Sequence, residues 1–245
     1  MRNVLARVNA ICALAALVLL LLPFLTVAQQ APVTVRVKLQ LPASAKPEKG
    51  LDSSGVVLWL VPSDQATPPF SEPAKRPQVL QKNKQFHPHV SVVRVGTVVD
   101  FPNRDPFFHN VFSLFDGKRF DLGLYEAGAT NSVRFDHPGV SFLFCNIHPE
   151  MSAVIVAVPT PYYSVSDKYG LVSFPAVPDG KYELHVWYER SMPDALKGLT
   201  RSVRIAGDSR DLGTLVVPQD PGFSAAHKNK YGQDYTPPPN PSYQH

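Results

Sequence analysis

Cysteine is nearly absent from this chain: 245 residues carry two. Cys12 lies inside an apolar N-terminal run, without the small-residue context of a lipidation site. Once that run is removed Cys145 is alone, and a disulfide framework is excluded. Methionine is as scarce, with three residues. Strong charge is also missing. The formal net charge is +4, the basic residues are dispersed, and no Lys/Arg cluster interleaved with aromatics marks a nucleic-acid surface, so no nucleic-acid partner is expected. Beyond the first thirty residues no segment carries a convincing helical period. The 25 prolines and 14 glycines favour turns and short strands. Length and a hydrophobic content of 44% suffice for one or two domains with real cores.

The N-terminus reads as an export signal. Arg2 and Arg7 give a positive start, Ile11 to Val27 is almost wholly apolar, and "TVAQQ" closes the run with small residues. Cleavage after Ala28 is predicted, making residues 1–28 a signal peptide and the mature protein periplasmic or secreted. The run is close to the length that spans a bilayer, so membrane attachment follows only if it stays uncleaved. An oxidising compartment attacks free thiols. A lone cysteine there is either a buried, inert thiol packed as a small hydrophobe or a metal ligand.

From Val33 the chain reads as strands between turns. "VTVRVKLQL" alternates apolar and polar residues, and "GVVLWLVP" is a continuous apolar run; a polar loop separates them. Strand-like runs follow at "HVSVVRV", "TVVDF", "HNVFSLF", "NSVRFD", "VSFLF" and "AVIVAV". Many short strands punctuated by Gly and Pro predict an all-β chain of sandwich or barrel type. A second β-unit begins near Pro159, with turn signals around Gly170 and at Asp179-Gly180. Residues 219–245 carry five prolines among polar residues and are expected to form a disordered or extended tail, with His227 and His245 incidental. No internal repeat is evident.

The chemistry concentrates in "FLFCNIHPEM". Cys145, His148 and Met151 end an apolar strand at a spacing short enough to wrap one small cation. Thiolate, imidazole and thioether are soft ligands that favour copper; a cysteine with two histidines and a weak axial methionine is the blue-copper set. That set calls for a second histidine from an earlier strand. His87 and His89 precede a strand, His137 sits in a turn, and His185 lies on an alternating strand face. His109 alone combines an upstream position, a strand start and a following asparagine.

Residues from about Gln78 to Val158 resemble a cupredoxin. The resemblance is carried by "FHPHVSVVRVGTVVDFPNRD", by "HNVFS" and by "HPGVSFLFCNIHPEM", whose short ligand loop is most like the amicyanin type. It implies a Greek-key β-sandwich holding one type 1 copper ion through His109, Cys145, His148 and Met151. It further implies that Asn110 links the two ligand segments near the sulfur, and that the edge of His148 is the electron port. Pro149 would form a docking rim, together with Phe107 and Phe108 if they are not core. "FPAVPDGKYELHVW" resembles the carboxypeptidase regulatory-like, transthyretin-like β-sandwich, an accessory module in most settings. The expected organisation is a cupredoxin domain over 31–158 (core 78–158, with the 33–62 strand pair as an extension of unassigned packing) and the second sandwich over 159–218.

Four protein ligands leave no open position for substrate, so the chain is expected to be an electron carrier with transient redox protein partners and not an enzyme. Two alternatives stay open. One is a copper carrier or scavenger without redox partners. The other is a metal-free structural protein that binds a surface or glycan.

Overall fold

The computed structural model describes residues 32–40, 52–114, 116–207 and 209–235. The predicted signal peptide, Cys12 and His245 lie outside the described residues. The protein is all-β: among the described residues one short helix, α1 (Pro193–Lys197), accompanies the strands. The described residues form one compact unit.

Two sandwiches make up that unit. In the first, β5 (Val90–Arg94), β11 (Ser152–Val158), β10 (Gly139–Phe144), β7 (His109–Ser113) and β8 (Phe120–Tyr125) form a five-stranded sheet in that order. It faces the pair β6 (Val98–Pro102) and β9 (Thr130–Arg134), flanked by the hairpin β3 (Leu80–Lys82) and β4 (Gln85–His87). Val99, Phe101, Val111, Phe135, Leu143 and Ile155 fill the core between them, and Cys145 and Met151 belong to the same buried cluster.

In the second sandwich, the sheet β12 (Tyr163–Val165), β2 (Val57–Pro62), β14 (Gly180–Trp187) and β15 (Arg201–Ile205) faces the sheet β13 (Leu171–Phe174), β1 (Val33–Gln40) and β16 (Asp211–Pro218). The strand pair at 33–62 therefore hydrogen-bonds with C-terminal strands: β1 runs antiparallel to β13 and parallel to β16, and β2 runs antiparallel to β12 and β14. Its alternating side chains Val33, Val35 and Val37 point into the second core with Leu58 and Leu60.

The unbroken apolar run "AVIVAV" has a direct explanation. β11 is buried on both faces. Ala153, Ile155 and Ala157 point into the first core. Val154, Val156 and Val158 pack on Val57 of the second sandwich, and Phe142 and Trp187 pack against this cluster. Two-sided burial removes the alternation that a half-solvated strand must show. The seam is also tied by polar groups, since His89 Nε2 lies 2.7 Å from Glu189 Oε2 and its Nδ1 3.1 Å from the Ser152 carbonyl.

Candidate metal centre

The end of β6, the start of β7, the end of β10 and the start of β11 meet at one end of the first sandwich. The antiparallel registers between β10 and β7, and between β10 and β11, bring about this meeting. His109 opens β7, Cys145 follows β10 directly, and Met151 precedes β11 directly. A short loop therefore closes on itself: the Cys145 N–H donates to the Met151 carbonyl at 3.2 Å, and the Met151 N–H to the His148 carbonyl at 3.1 Å.

Three donor atoms converge there. His109 Nδ1 and His148 Nδ1 are 3.1 Å apart, and Cys145 Sγ lies 3.9 Å from the first and 3.6 Å from the second. All three atoms fall within 4.8 Å of one another. A single cation with bonds of about 2.0–2.3 Å at roughly 100–120° holds its donors about 3.1–4.0 Å apart, so these side chains fit one ion. Met151 is fully buried at the same end of the core. Soft sulfur beside two imidazoles matches copper better than a hard oxygen-loving ion.

The orientation of His109 has a traceable cause. Its Nε2 donates to Asp105 Oδ2 at 2.7 Å, which leaves the Nδ1 lone pair facing Cys145 and His148. Asp105 is itself fixed by the β3–β4 hairpin. Asn83 and Lys84 both take positive φ, 56° and 55°, as a two-residue type I′ turn requires. Their N–H groups consequently point together at the carboxylate, at 2.6 Å to Oδ1 and 2.9 Å to Oδ2. Burial opposes ionisation of Asp105, but those amides and His109 outweigh it and hold the carboxyl below its usual range. Asn103 braces the same loop, donating from Nδ2 to the Phe107 carbonyl at 2.8 Å and accepting the Asp105 N–H on Oδ1 at 3.0 Å.

Around the sulfur, burial pushes the Cys145 thiol up, while the backbone N–H groups of Asn110, Ile147 and His148 pull in the other direction. Asn110 thus reaches the sulfur through its main chain. Its side chain turns away from the ligand loop, with Nδ2 donating to Asp121 Oδ1 at 2.8 Å and to the Gly123 carbonyl at 2.9 Å. Here the β7–β8 register slips between Asn110 and Phe112, and Gly123 takes the left-handed φ of +66° that such an irregularity requires.

The two imidazoles differ in access. His109 is 0% exposed, whereas His148 is only partly buried; burial and the neighbouring His109 hold its pKa below the usual value. Beside His148 in the chain Pro149 is exposed and Ile147 is 44% exposed, and Phe108, next to His109 in the chain, is 55% exposed. Phe107 is half-buried against both imidazoles, with ring centroids 5.2 Å from His109 and 5.8 Å from His148. The other histidines weighed in the sequence stand apart. His137 bonds with Asp136 and the Gly117 carbonyl, His185 stacks on Trp59 at 5.1 Å, and His89 joins the seam.

The one sign of Asp105 in the sequence is an acidic residue four positions before His109. The tail over 219–235, expected to be disordered or extended, is anchored to the folded strands. Residues 219–223 lie along the second sandwich, and residues 227–235 lie against the first, with the Tyr235 hydroxyl donating to the Cys145 carbonyl at 2.7 Å and His227 stacked on Phe144 at 4.1 Å. Proline and polarity suggested solvation, but its aromatic and Asn residues supply specific anchors.

No family model matches the chain. No curated protein matches it either. Among solved structures, a copper-containing nitrite reductase from Thermus scotoductus is similar at 23% identity over 40% of this chain, with a TM-score of 0.34. The chain spans a quarter (25%) of the length of that reductase chain. A purple cupredoxin from Nitrosopumilus maritimus is similar at 22% identity over 34% of this chain and 99% of its own, TM-score 0.31. A point mutant of amicyanin in its Cu(I) form is similar at 21% identity over 34% of this chain and 82% of its own, TM-score 0.32. Likenesses of this strength assign neither activity nor family; the copper reading below rests on the side chains.

Proposed function

We propose that this chain is an exported blue-copper electron carrier that holds one copper ion through His109, Cys145, His148 and Met151. The observation that carries this reading is the convergence of two imidazole Nδ1 atoms and one thiol sulfur at one end of a buried core. Copper bound there would supply one-electron chemistry between Cu(II) and Cu(I).

The chain's own residues account for the rest. Asp105 holds His109 in the tautomer that presents Nδ1. Backbone N–H groups directed at Cys145 favour its thiolate. Met151, buried in the same core cluster as Cys145, would offer its thioether as a weaker fourth donor. Strand ends and the braced 103–109 loop keep the donors from moving far, and small rearrangement means a low barrier to electron exchange. His148 is the port, and the apolar rim of Phe108, Ile147 and Pro149 suits a partner that docks briefly. Such redox encounters bury less than about 1,200 Å² in total. With four protein ligands there is no open position for substrate, so the protein acts as a carrier and not as an enzyme. Residues 1–28 are read as the export signal and 78–158 as the copper-binding core. The second sandwich, including the 33–62 strands, is read as an accessory of carboxypeptidase regulatory-like type.

Loading the mature protein with Cu(II) should give an intense visible band from thiolate-to-copper charge transfer. Cys145→Ser should abolish it. A band that survives the substitution, or a wild-type protein that takes up no copper, overturns the reading. Rapid loss of copper to a chelator with no reversible redox couple would point to a copper carrier or scavenger.

A further inference from the structure

Residues 219–235 leave the last strand and return to the metal end of the first sandwich. Gln219 extends β16 by donating its N–H to the Gln40 carbonyl at 2.9 Å. A tight turn follows at Asn229, whose Oδ1 accepts the N–H groups of Tyr231 and Gln233, each at 3.0 Å. The Asn229 N–H in turn donates to the Gln233 carbonyl at 2.9 Å, and Gly232 takes φ +74°. This reversal sets His227 and Tyr235 side by side, ring centroids 5.4 Å apart and planes at 90°.

The two arms of the turn grip the ligand segments at separate points. On one arm the Tyr235 hydroxyl donates to the Cys145 carbonyl at 2.7 Å and lies 3.2 Å from His227 Nδ1. His227 in turn covers the ring of Phe144, centroids 4.1 Å apart. At the turn, the Lys230 N–H donates to Asn146 Oδ1 at 3.0 Å, and Lys230 Nζ donates to Asp121 Oδ2 at 2.7 Å. Asp121 is the residue whose other oxygen receives Asn110, next to His109. One short segment therefore touches Cys145, both its neighbours, and the hydrogen-bond chain that leads to the His109 strand. Ordering a polar tail costs conformational entropy, so docking requires such anchors.

We propose that this strap belongs to the metal centre. Tyr235 is a positioning residue that acts through the Cys145 carbonyl, and Lys230 clamps the Cys145 segment to the His109 strand. The proposal rests on the copper reading above, and its test separates the two. Cys145 is fully buried, so in the metal-free mature protein, which lacks residues 1–28 and with them Cys12, a disulfide reagent such as DTNB reaches its sulfur only when the loop opens. Tyr235→Phe keeps the ring beside His227 and removes the hydroxyl that meets the Cys145 carbonyl and His227 Nδ1, and Lys230→Met removes the Nζ bond to Asp121 while its N–H still donates to Asn146. Each should speed thiol modification about five-fold, the factor carried by one net hydrogen bond.

In the copper-loaded protein Tyr235→Phe should also lower the reduction potential. The hydroxyl dipole aimed at the Cys145 carbonyl favours the extra electron of the reduced state, and a residue that only filled space would leave the potential where it was. Thiol rates within two-fold of wild type in both variants, with an unmoved potential, overturn the strap. Should Tyr235→Phe not fold, the Lys230→Met thiol rate decides. A wild-type protein that stays colourless with Cu(II) overturns the copper reading instead, and the metal-free thiol rates still decide the strap.

Discussion

Asp105→Asn isolates the contribution of the hairpin-to-histidine chain. The carboxylate accepts three N–H groups, from Asn83 at 2.6 Å, Lys84 at 2.9 Å and His109 at 2.7 Å. An asparagine offers one acceptor oxygen and one NH₂ in almost the same volume. With its oxygen in the Oδ2 position it keeps Lys84 and His109 as weaker neutral bonds, but points a donor at the Asn83 N–H. In the flipped orientation it loses two bonds instead of one. Losing the bond from Asn83 to a charged group costs about 1.5–3 kcal/mol, and the two bonds that become neutral weaken by roughly 0.5 kcal/mol each. The metal-free protein should thus lose about 2–4 kcal/mol. With a urea m-value of about 2 kcal/mol/M, the unfolding midpoint falls by about 1–2 M. Released from its anchor, His109 also turns more freely, and copper affinity should fall about 10- to 100-fold, as measured by competition with a chelator. A variant matching wild type in both midpoint and affinity would refute the claim that Asp105 orients the ligand.

Met151→Gln should retain copper and lower the reduction potential by voltammetry, because an amide oxygen favours Cu(II) over a soft thioether; an unchanged potential with unchanged copper geometry counts against Met151 as a ligand. Pro149→Glu should slow electron exchange with the physiological partner at matched potential while leaving the visible band intact, whereas Tyr169→Glu, on the exposed surface of the second sandwich, should leave the rate alone; the reverse pattern places the port elsewhere. The Glu189 carboxylate raises the pKa of His89 above its ordinary 6.5 against the opposing effect of burial, with help from the Ser152 carbonyl. Its share of stability is then full below about pH 6.5 and is lost as pH rises through the raised folded value, so wild type and His89→Gln should differ in thermal midpoint at pH 6 and converge in alkaline buffer.

Some of this molecule was legible without coordinates. Cys145, His148 and Met151 lie within seven consecutive residues, so their donor atoms are neighbours in any conformation that turns the loop. The alternation of "VTVRVKLQ" likewise states that one face is buried whatever it packs on. Periodicity reports that a face is covered and is silent about the partner. The parallel pairing of β1 with β16 joins residues far apart in sequence, and only the folded chain decides it. Two-sided burial hid the interface on β11 for the same reason, since an unbroken apolar run has no alternation to read. Asp105, Asn110 and Tyr235 mark the limit most clearly. Each has an ordinary local context, and its part is set by where another segment's hydrogen-bonding group happens to stand: the hairpin amides of Asn83 and Lys84 for Asp105, the Asp121 carboxylate for Asn110, and the Cys145 carbonyl for Tyr235. Hydrogen bonds act over about 3 Å, so they are determined by the final packing and leave no period in the sequence.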